Sequence, residues 1–273
     1  MTTVISSSLV ISGSVSGADI NSNNPIIGYQ NHVTQANVSA TSEADASHPA
    51  SHLANVSTFL RWEAAVVTEQ FLTVVLDTPD DIDYLAVARH NFGSNINVVS
   101  VEGLNDDDWF ELVGETLLPD DSAVIFRFTP QPLLAIRLRI QAGAVPAFAA
   151  VMYVGKLLIL VRRIYVGHTP VIYGRSQSLA NHMSISGEFL GRIVLSEKIG
   201  TDVELKNLTP GWYRTYFEPF ALAAREIPFF FGWRPGTYPY ESGFVWLTGD
   251  PKPSNQLPNG MMQVSITMAG IST

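Results

Sequence analysis

Short clusters of β-branched and aromatic residues recur along this chain, separated by turn-forming residues, and this pattern constrains the fold more than any other feature. Residues 124–128 and 136–140 alternate apolar with polar or basic side chains, as strands with one solvated face do. The pattern predicts an all-β chain. Further strands are predicted at residues 72–76, 84–88 and 98–101, with turns at residues 78–81, 91–95, 105–108 and 119–121.

The second half of the chain contains one convincing helix. Thr209 is suited to be its N-cap, and Pro210 is suited to its first turn. Pro219 lacks a backbone donor and is therefore expected to kink or split the helix. Aromatic residues recur on one helical face at Trp212, Tyr213, Tyr216, Phe217 and Phe220. Strands are predicted around the helix at residues 193–195, 229–231, 245–247 and 262–268.

The charge balance excludes several function classes. With 16 Lys and Arg against 25 Asp and Glu, the net charge is −9, and there is no basic run, so nucleic acid is not expected as a partner. Charged residues make up only 15% of the chain, which suggests that much of its surface faces other protein. The absence of cysteine excludes disulfides, thiolate zinc sites and cysteine nucleophiles.

The amino-terminal residues differ from the rest of the chain. Residues 1–24 are rich in serine and lack the basic start and apolar middle of a secretion signal, so we expect synthesis in the cytoplasm. They contain a weak strand at residues 9–11, and we expect them to form an arm that pairs with a neighbouring subunit's sheet edge. Residues 142–161 are the most apolar stretch, but Pro146, Gly155 and Lys156 favour two buried strands over a membrane span.

The sequence contains none of the common catalytic or nucleotide-binding motifs of enzymes. His48 and His52 flank Pro49, which argues against metal binding at helical spacing, so both are interpreted as polar loop residues. His90 follows a predicted strand and is either hydrogen-bonded at the strand end or in contact with a ligand at a loop rim. The acidic groups at residues 80–81, 106–108 and 120–121 lie in polar turns without apolar neighbours to raise a pKa. We predict no catalytic residue, no metal and no cofactor.

The first half resembles the discoidin domain, the galactose-binding-like β-sandwich of coagulation factors and bacterial carbohydrate-binding modules. The resemblance covers about 130 residues and rests on the order of its elements: residues 37–40, 49–55, 58–63, 70–77, 82–89, 109–112 and 136–140. The chain departs from the family in lacking its bridging cysteines. Val56 also stands where many members have an aspartate for a structural calcium, so no metal site is expected.

The resemblance implies a ligand site in the loops at one end of the sandwich. The residues of this chain in the matching loops are Arg61, Trp62, His90, Asn91 and Phe92, which are predicted to contact a glycan. Trp62 has a second interpretation, as a core residue.

The second half resembles distal-tail and tail-tube proteins of bacteriophages, in which strands wrap around one helix and the subunits form a ring. Residues 186–192, 229–235 and 260–270 carry this resemblance. The resemblance implies a closed, sixfold ring. The dense aromatic residues are predicted either to line a subunit interface or to form the core, with a sugar-stacking platform as a further alternative. The candidate interface residues are Trp212, Tyr216, Phe220, Phe230, Trp233 and Trp246.

The sequence as a whole predicts three segments: an arm at residues 1–24, a discoidin-like jelly-roll sandwich at 25–165 and a mostly β ring-forming domain with one helix at 166–273. The favoured function is a non-enzymatic structural component of a phage tail tip or baseplate. Its expected partners are further copies of itself and the tube, hub and fibre proteins, with host-surface glycans as additional ligands. The alternative is a carbohydrate-binding, lectin-like adhesion protein; an uncommon hydrolase is a third, weaker hypothesis.

Overall fold

The computed structural model describes residues 2–11, 21–106, 108–164, 167–256 and 260–271, and most of them lie in strands, which confirms the predicted all-β class. The strands are β1 (Thr2–Ile5), β2 (Ile26–Gly28), β3 (Val38–Ala40), β4 (Trp62–Glu63), β5 (Gln70–His90), β6 (Val98–Asn105), β7 (Asp108–Leu117), β8 (Val124–Ile140), β9 (Phe148–Gly155), β10 (Leu158–Ile159), β11 (Ser176–Met183), β12 (Phe189–Leu208), β13 (Phe229–Gly232), β14 (Ser242–Leu247), β15 (Lys252–Gln256) and β16 (Met261–Ile271).

The strands form two eight-stranded sheets. The first has the order β4-β9-β5-β8-β6-β7, with β1 paired to β8 and β3 paired to β5. The second has the order β10-β2-β13-β14-β16-β12-β11, with β15 paired to β16. Strands β2 and β10 lie inside the range predicted for the first unit, yet they pair in the second sheet. The predicted boundary at residues 165–166 lies outside the described residues.

Two predicted strands of the first half are in fact one bent strand. A turn is predicted at residues 78–81, but β5 continues through it, and its pairing with β8 is interrupted by register shifts between Val75 and Asp80 and between Ile82 and Tyr84. The irregularity accommodates the Pro and Asp residues without ending the ladder. The predicted turn at residues 105–108 is confirmed, since Asn105 and Asp108 pair where β6 meets β7.

The amino-terminal strand pairs within its own chain, contrary to the prediction that the arm orders on a neighbour. Strand β1 runs parallel to β8, from Thr2 opposite Val124 to Ile5 opposite Arg127. Thr3 is buried and its hydroxyl lies 2.5 Å from that of Ser242, at the start of β14. The weak strand predicted at residues 9–11 does not form, and residues 12–20 of the predicted arm lie outside the described part.

The predicted helix is confirmed and is split before its proline. An α-helical turn, α1 (Pro210–Trp212), is capped by the Thr209 hydroxyl, which accepts a hydrogen bond from the Trp212 N–H at 3.4 Å. A π-helical turn (Tyr213–Phe217) follows, and α2 (Glu218–Ala223) begins with Pro219 in its first turn. Pro219 cannot donate to the preceding turn, and the wider π turn absorbs the break. No helix in the described ranges is long and apolar enough to cross a membrane.

The two sheets share one hydrophobic cluster, and the first sheet holds a second cluster of its own. The shared cluster joins Tyr84 and Tyr153 of the first sheet to Phe230 and Phe244 of the second and to Phe217 of the helical segment. Gly28 is required at this junction because a Cβ atom there would lie 2.7 Å from the Tyr84 ring. The first sheet's own cluster contains Leu53, Trp62 and Phe92, so the loops at that end of the sheet are anchored in its core.

Candidate loop groove

Four of the five residues predicted to contact a glycan lie in the interior. Trp62 is 0% exposed, and its indole N–H donates to the Ser42 carbonyl oxygen at 2.9 Å. It begins β4, where it pairs with Ala149 of β9. The core interpretation of Trp62 is therefore correct, and its role as a glycan contact is not compatible with this burial.

His90, Asn91 and Phe92 form a buried corner at the end of β5. The His90 ring stacks on Phe92 with centroids 4.5 Å apart, and its Nδ1 accepts a hydrogen bond from the Phe92 N–H at 3.2 Å. Burial lowers the pKa of His90 to about 4, so the ring is neutral in the folded chain. The Asn91 amide donates to the Pro146 carbonyl and accepts from the Phe148 N–H, tying this corner to the start of β9. Of the two interpretations of His90, the hydrogen-bonded strand end is correct.

Arg61 alone among the predicted contacts reaches an open groove. Its guanidinium lies 4.6 Å above the Phe148 ring and donates to Glu63 Oε2 at 2.7 Å. These two contacts hold the side chain in one orientation while about two fifths of it stays exposed. The groove beside it has a volume of about 430 Å³ and is lined by Ser47, His48, Phe59, Leu60 and Arg61.

Ser47 and His48, which also line the groove, belong to a polar turn built around Asp45. Its carboxylate accepts hydrogen bonds from the Ser47 N–H at 2.7 Å and from His48 Nδ1 at 3.0 Å. These bonds lower the pKa of Asp45, so it is ionised at neutral pH. With Nδ1 bonded to Asp45, His48 retains Nε2 for a further hydrogen bond, and Ser47 has a hydroxyl that can donate and accept.

Phe59 is the most exposed large aromatic side chain in the described residues, at 90%. The loop that carries it is fixed by hydrogen bonds from the Ser57 N–H to Asn55 Oδ1 and from the Phe59 N–H to Ser57 Oγ. His52 Nδ1 lies 3.1 Å from the Arg61 carbonyl oxygen and anchors the far end of the loop. The sequence analysis predicts Trp62, and not Phe59, as the aromatic residue that contacts a glycan. The polar run before Phe59 and the strand onset at Trp62 were the signals that could have separated the exposed ring from the buried one.

The predicted interface residues also divide by burial. Trp212, Phe220 and Phe230 are buried in the shared cluster, so their rings belong to the core of the single chain. Tyr216 is 39% exposed, and Trp233 and Trp246 are half-buried. The Trp233 indole donates to the Glu241 carboxylate, and its ring stacks on Tyr238 with centroids 5.6 Å apart.

Three carboxylates from the acidic groups at residues 80–81 and 120–121 are hydrogen-bonded or paired on the surface. Asp80 lies 3.4 Å from His32, Asp81 lies 3.7 Å from Lys156, and Asp121 accepts from the Ser94 N–H at 2.8 Å. Within the described ranges, no three His, Asp or Glu side chains converge as a metal site requires.

About half of the chain is similar in fold to carbohydrate-binding modules of known structure. Chitosan-binding module 1 of a chitosanase/glucanase from Paenibacillus sp. IK-5 is 17% identical, with a TM-score of 0.42 over 46% of this chain and 99% of the module. The family 32 module of NanJ from Clostridium perfringens, in complex with galactose, is 19% identical, with a TM-score of 0.40 over 48% of this chain and 99% of the module. No protein-family model and no curated protein matches the sequence.

Proposed function

We propose that the groove between residues 47 and 61 binds a glycan, which makes the protein a non-catalytic carbohydrate-binding protein. The observation that carries the proposal is that the exposed Phe59 ring lines the same groove as the oriented Arg61 guanidinium. An apolar ring face packs against the C–H face of a sugar, and directional donors and acceptors meet its hydroxyl groups. Ser47, His48 and Arg61 line the same groove and supply those polar groups.

The test is titration of the purified chain with galactose, N-acetylgalactosamine and chitotriose, followed by heteronuclear NMR. Binding is expected for at least one sugar and should weaken at least tenfold, about 1.4 kcal/mol, in Phe59→Ala. Val56→Ala removes another exposed apolar side chain of the same loop and is the matched control. A chain that binds none of a broad glycan panel, or that binds equally well as Phe59→Ala, contradicts the proposal.

A second proposed role is structural: a subunit of a phage tail tip that assembles as a ring and is located in the virion. Two observations favour association of this chain with other protein subunits. Only 15% of the residues are charged, and the hairpin of β11 and β12 exposes large apolar side chains. Electron microscopy of purified protein tests the role, since a closed ring is expected and an unassociated particle at all concentrations contradicts it. In such a ring, several copies of the loop groove would bind host glycans together, and this avidity would strengthen adhesion.

A further inference from the structure

One part of the second sheet projects beyond its neighbours. The ribbon consists of β11, the turn at residues 184–188 and residues 189–197 of β12. Along these residues β12 pairs with β11, and its pairing with β16 begins only at Lys198. A two-stranded ribbon without further packing is only marginally stable in water. We therefore expect another surface to cover this exposed segment.

The ribbon carries large apolar side chains on both faces. Met183, Phe189, Leu190, Ile193, Val194 and Leu195 are each more than half exposed, and Ile185 in the turn is fully exposed. Ile193 pairs with Ala180 and Val194 pairs with Leu179, so these adjacent side chains point to opposite faces. Seven exposed large apolar side chains within residues 183–195 exceed the single, scattered ones that the surface of a monomer normally carries.

The edge of the ribbon is unprotected. Strand β11 ends the second sheet, and its eight residues include no charged residue and no proline. Exposed edges are usually blunted by lysine, proline or short length, because a bare edge pairs with another chain. The edge of β11 therefore has the properties of a strand that is covered in the functional state.

The charge of the ribbon indicates what covers it. The ribbon itself contains Glu188, Glu197 and Arg192. Lys198, which pairs with Ser176 at its base, balances the second carboxylate, so residues 176–198 are neutral within a chain of net charge −9. Copies of an acidic chain repel one another, and a neutral apolar segment is the surface through which they can approach. A basic ribbon would have favoured an acidic partner such as nucleic acid or an anionic membrane instead.

We infer that the ribbon docks onto a second copy of this chain, which covers both apolar faces and pairs with the edge of β11. The inference rests on the assembly role proposed above and is independent of the glycan groove.

The test is sedimentation velocity over a hundredfold concentration range with the full chain. The wild type is expected to exceed the monomer mass of 29.8 kDa, and the Ile193→Asp/Leu195→Asp variant is expected to remain monomeric. Leu117→Asp places an aspartate at an exposed apolar residue of β7 and should associate like the wild type. Ala180→Lys protects the edge of β11 and is the second ribbon variant, in case the first does not fold.

Hydrogen exchange gives an independent measurement on the same protein. The amides of residues 176–183 are expected to gain at least tenfold protection between dilute and concentrated samples, while those of β7 do not change. A wild type that stays monomeric overturns both the assembly role and this inference. A wild type that associates equally well with and without the ribbon substitutions overturns this inference alone, and neither result affects the sugar titration.

Discussion

Tyr153 of β9 packs edge-on against Phe230 of β13, with ring centroids 5.3 Å apart, and its hydroxyl donates to the Pro228 carbonyl oxygen at 3.0 Å. One side chain of the first sheet thus contributes both an aromatic contact and a hydrogen bond to the second. Its burial raises the pKa of Tyr153 to about 12, so the hydroxyl keeps its proton throughout the neutral range. The two sheets are therefore expected to unfold in one transition.

Tyr153→Phe removes this hydrogen bond and keeps the ring. We expect the free energy of unfolding to fall by about 1–2 kcal/mol, because the Pro228 carbonyl loses its partner. Urea unfolding followed by tryptophan fluorescence and by far-ultraviolet circular dichroism should give coincident shifted curves. Tyr173→Phe changes an exposed tyrosine and is the control. Two separated transitions would show that the sheets unfold independently.

Local features of the fold were predictable from the sequence. Thr209 and Pro210 start the helix, Pro219 splits it, and Asn105 ends β6 at a hairpin, since each of these depends on backbone chemistry within a few residues. The continuity of β5 through residues 78–81 was not predictable. Its ladder with β8 joins residues about fifty positions apart and overrides the local turn preference.

The site was predicted only in part, for a related reason. Arg61 was identified, but Trp62, His90 and Phe92 are in the core, because local polarity does not reveal a partner that is distant in sequence. Asn91 illustrates this: it lies in a stretch typical of exposed turns, yet it is 6% exposed and bonded to the backbone more than fifty residues away.

Asn91→Ala should therefore be strongly destabilising. It removes an acceptor for the Phe148 N–H at 2.9 Å and a donor to the Pro146 carbonyl at 3.0 Å, both of which lie at the entrance to β9. Two unsatisfied, part-buried backbone groups predict a loss of about 2–4 kcal/mol in chemical denaturation. Asn105→Ala, at an exposed turn, should change stability by at most about 0.5 kcal/mol. Similar values for both variants would mean that the Asn91 bonds contribute nothing beyond turn preference.

His90 should make the folded state sensitive to acid. The pKa of His90 is about 4 in the folded chain, against 6.5 in the unfolded chain. The contribution of the neutral ring to folding stability is therefore complete above pH 6.5 and is lost as the pH falls towards 4. His90→Asn keeps an acceptor for the Phe92 N–H but does not titrate. The stability advantage of the wild type over this variant should therefore shrink by about 2–3 kcal/mol between pH 7.5 and pH 4.5. An advantage that is constant with pH would contradict the buried neutral ring.

Asp83 should act in the opposite direction over nearly the same range. It is 4% exposed and accepts the Leu157 N–H at 2.7 Å, where the chain passes from β9 to β10. Burial raises the pKa of Asp83 to about 7, although this N–H, Arg127 and Lys156 all favour the ionised form. The folded state therefore holds its proton more tightly than the unfolded state, and stability falls as the pH rises from about 4 to about 7.

Asp83→Asn retains an acceptor for the Leu157 N–H and removes the titration. Relative to the wild type, the variant should gain up to about 4 kcal/mol of stability between pH 4 and pH 8, measured by urea unfolding at each pH. Asp121→Asn, which alters a surface carboxylate bonded to the Ser94 N–H, should show no comparable gain.

The contrary outcome depends on Arg127, which is attracted to the Asp83 carboxylate. Arg127 is 2% exposed, and its Nη1 has no hydrogen-bond partner in the described chain. If the variant instead loses stability as the pH rises, the attraction between Asp83 and Arg127 outweighs the desolvation of the carboxylate.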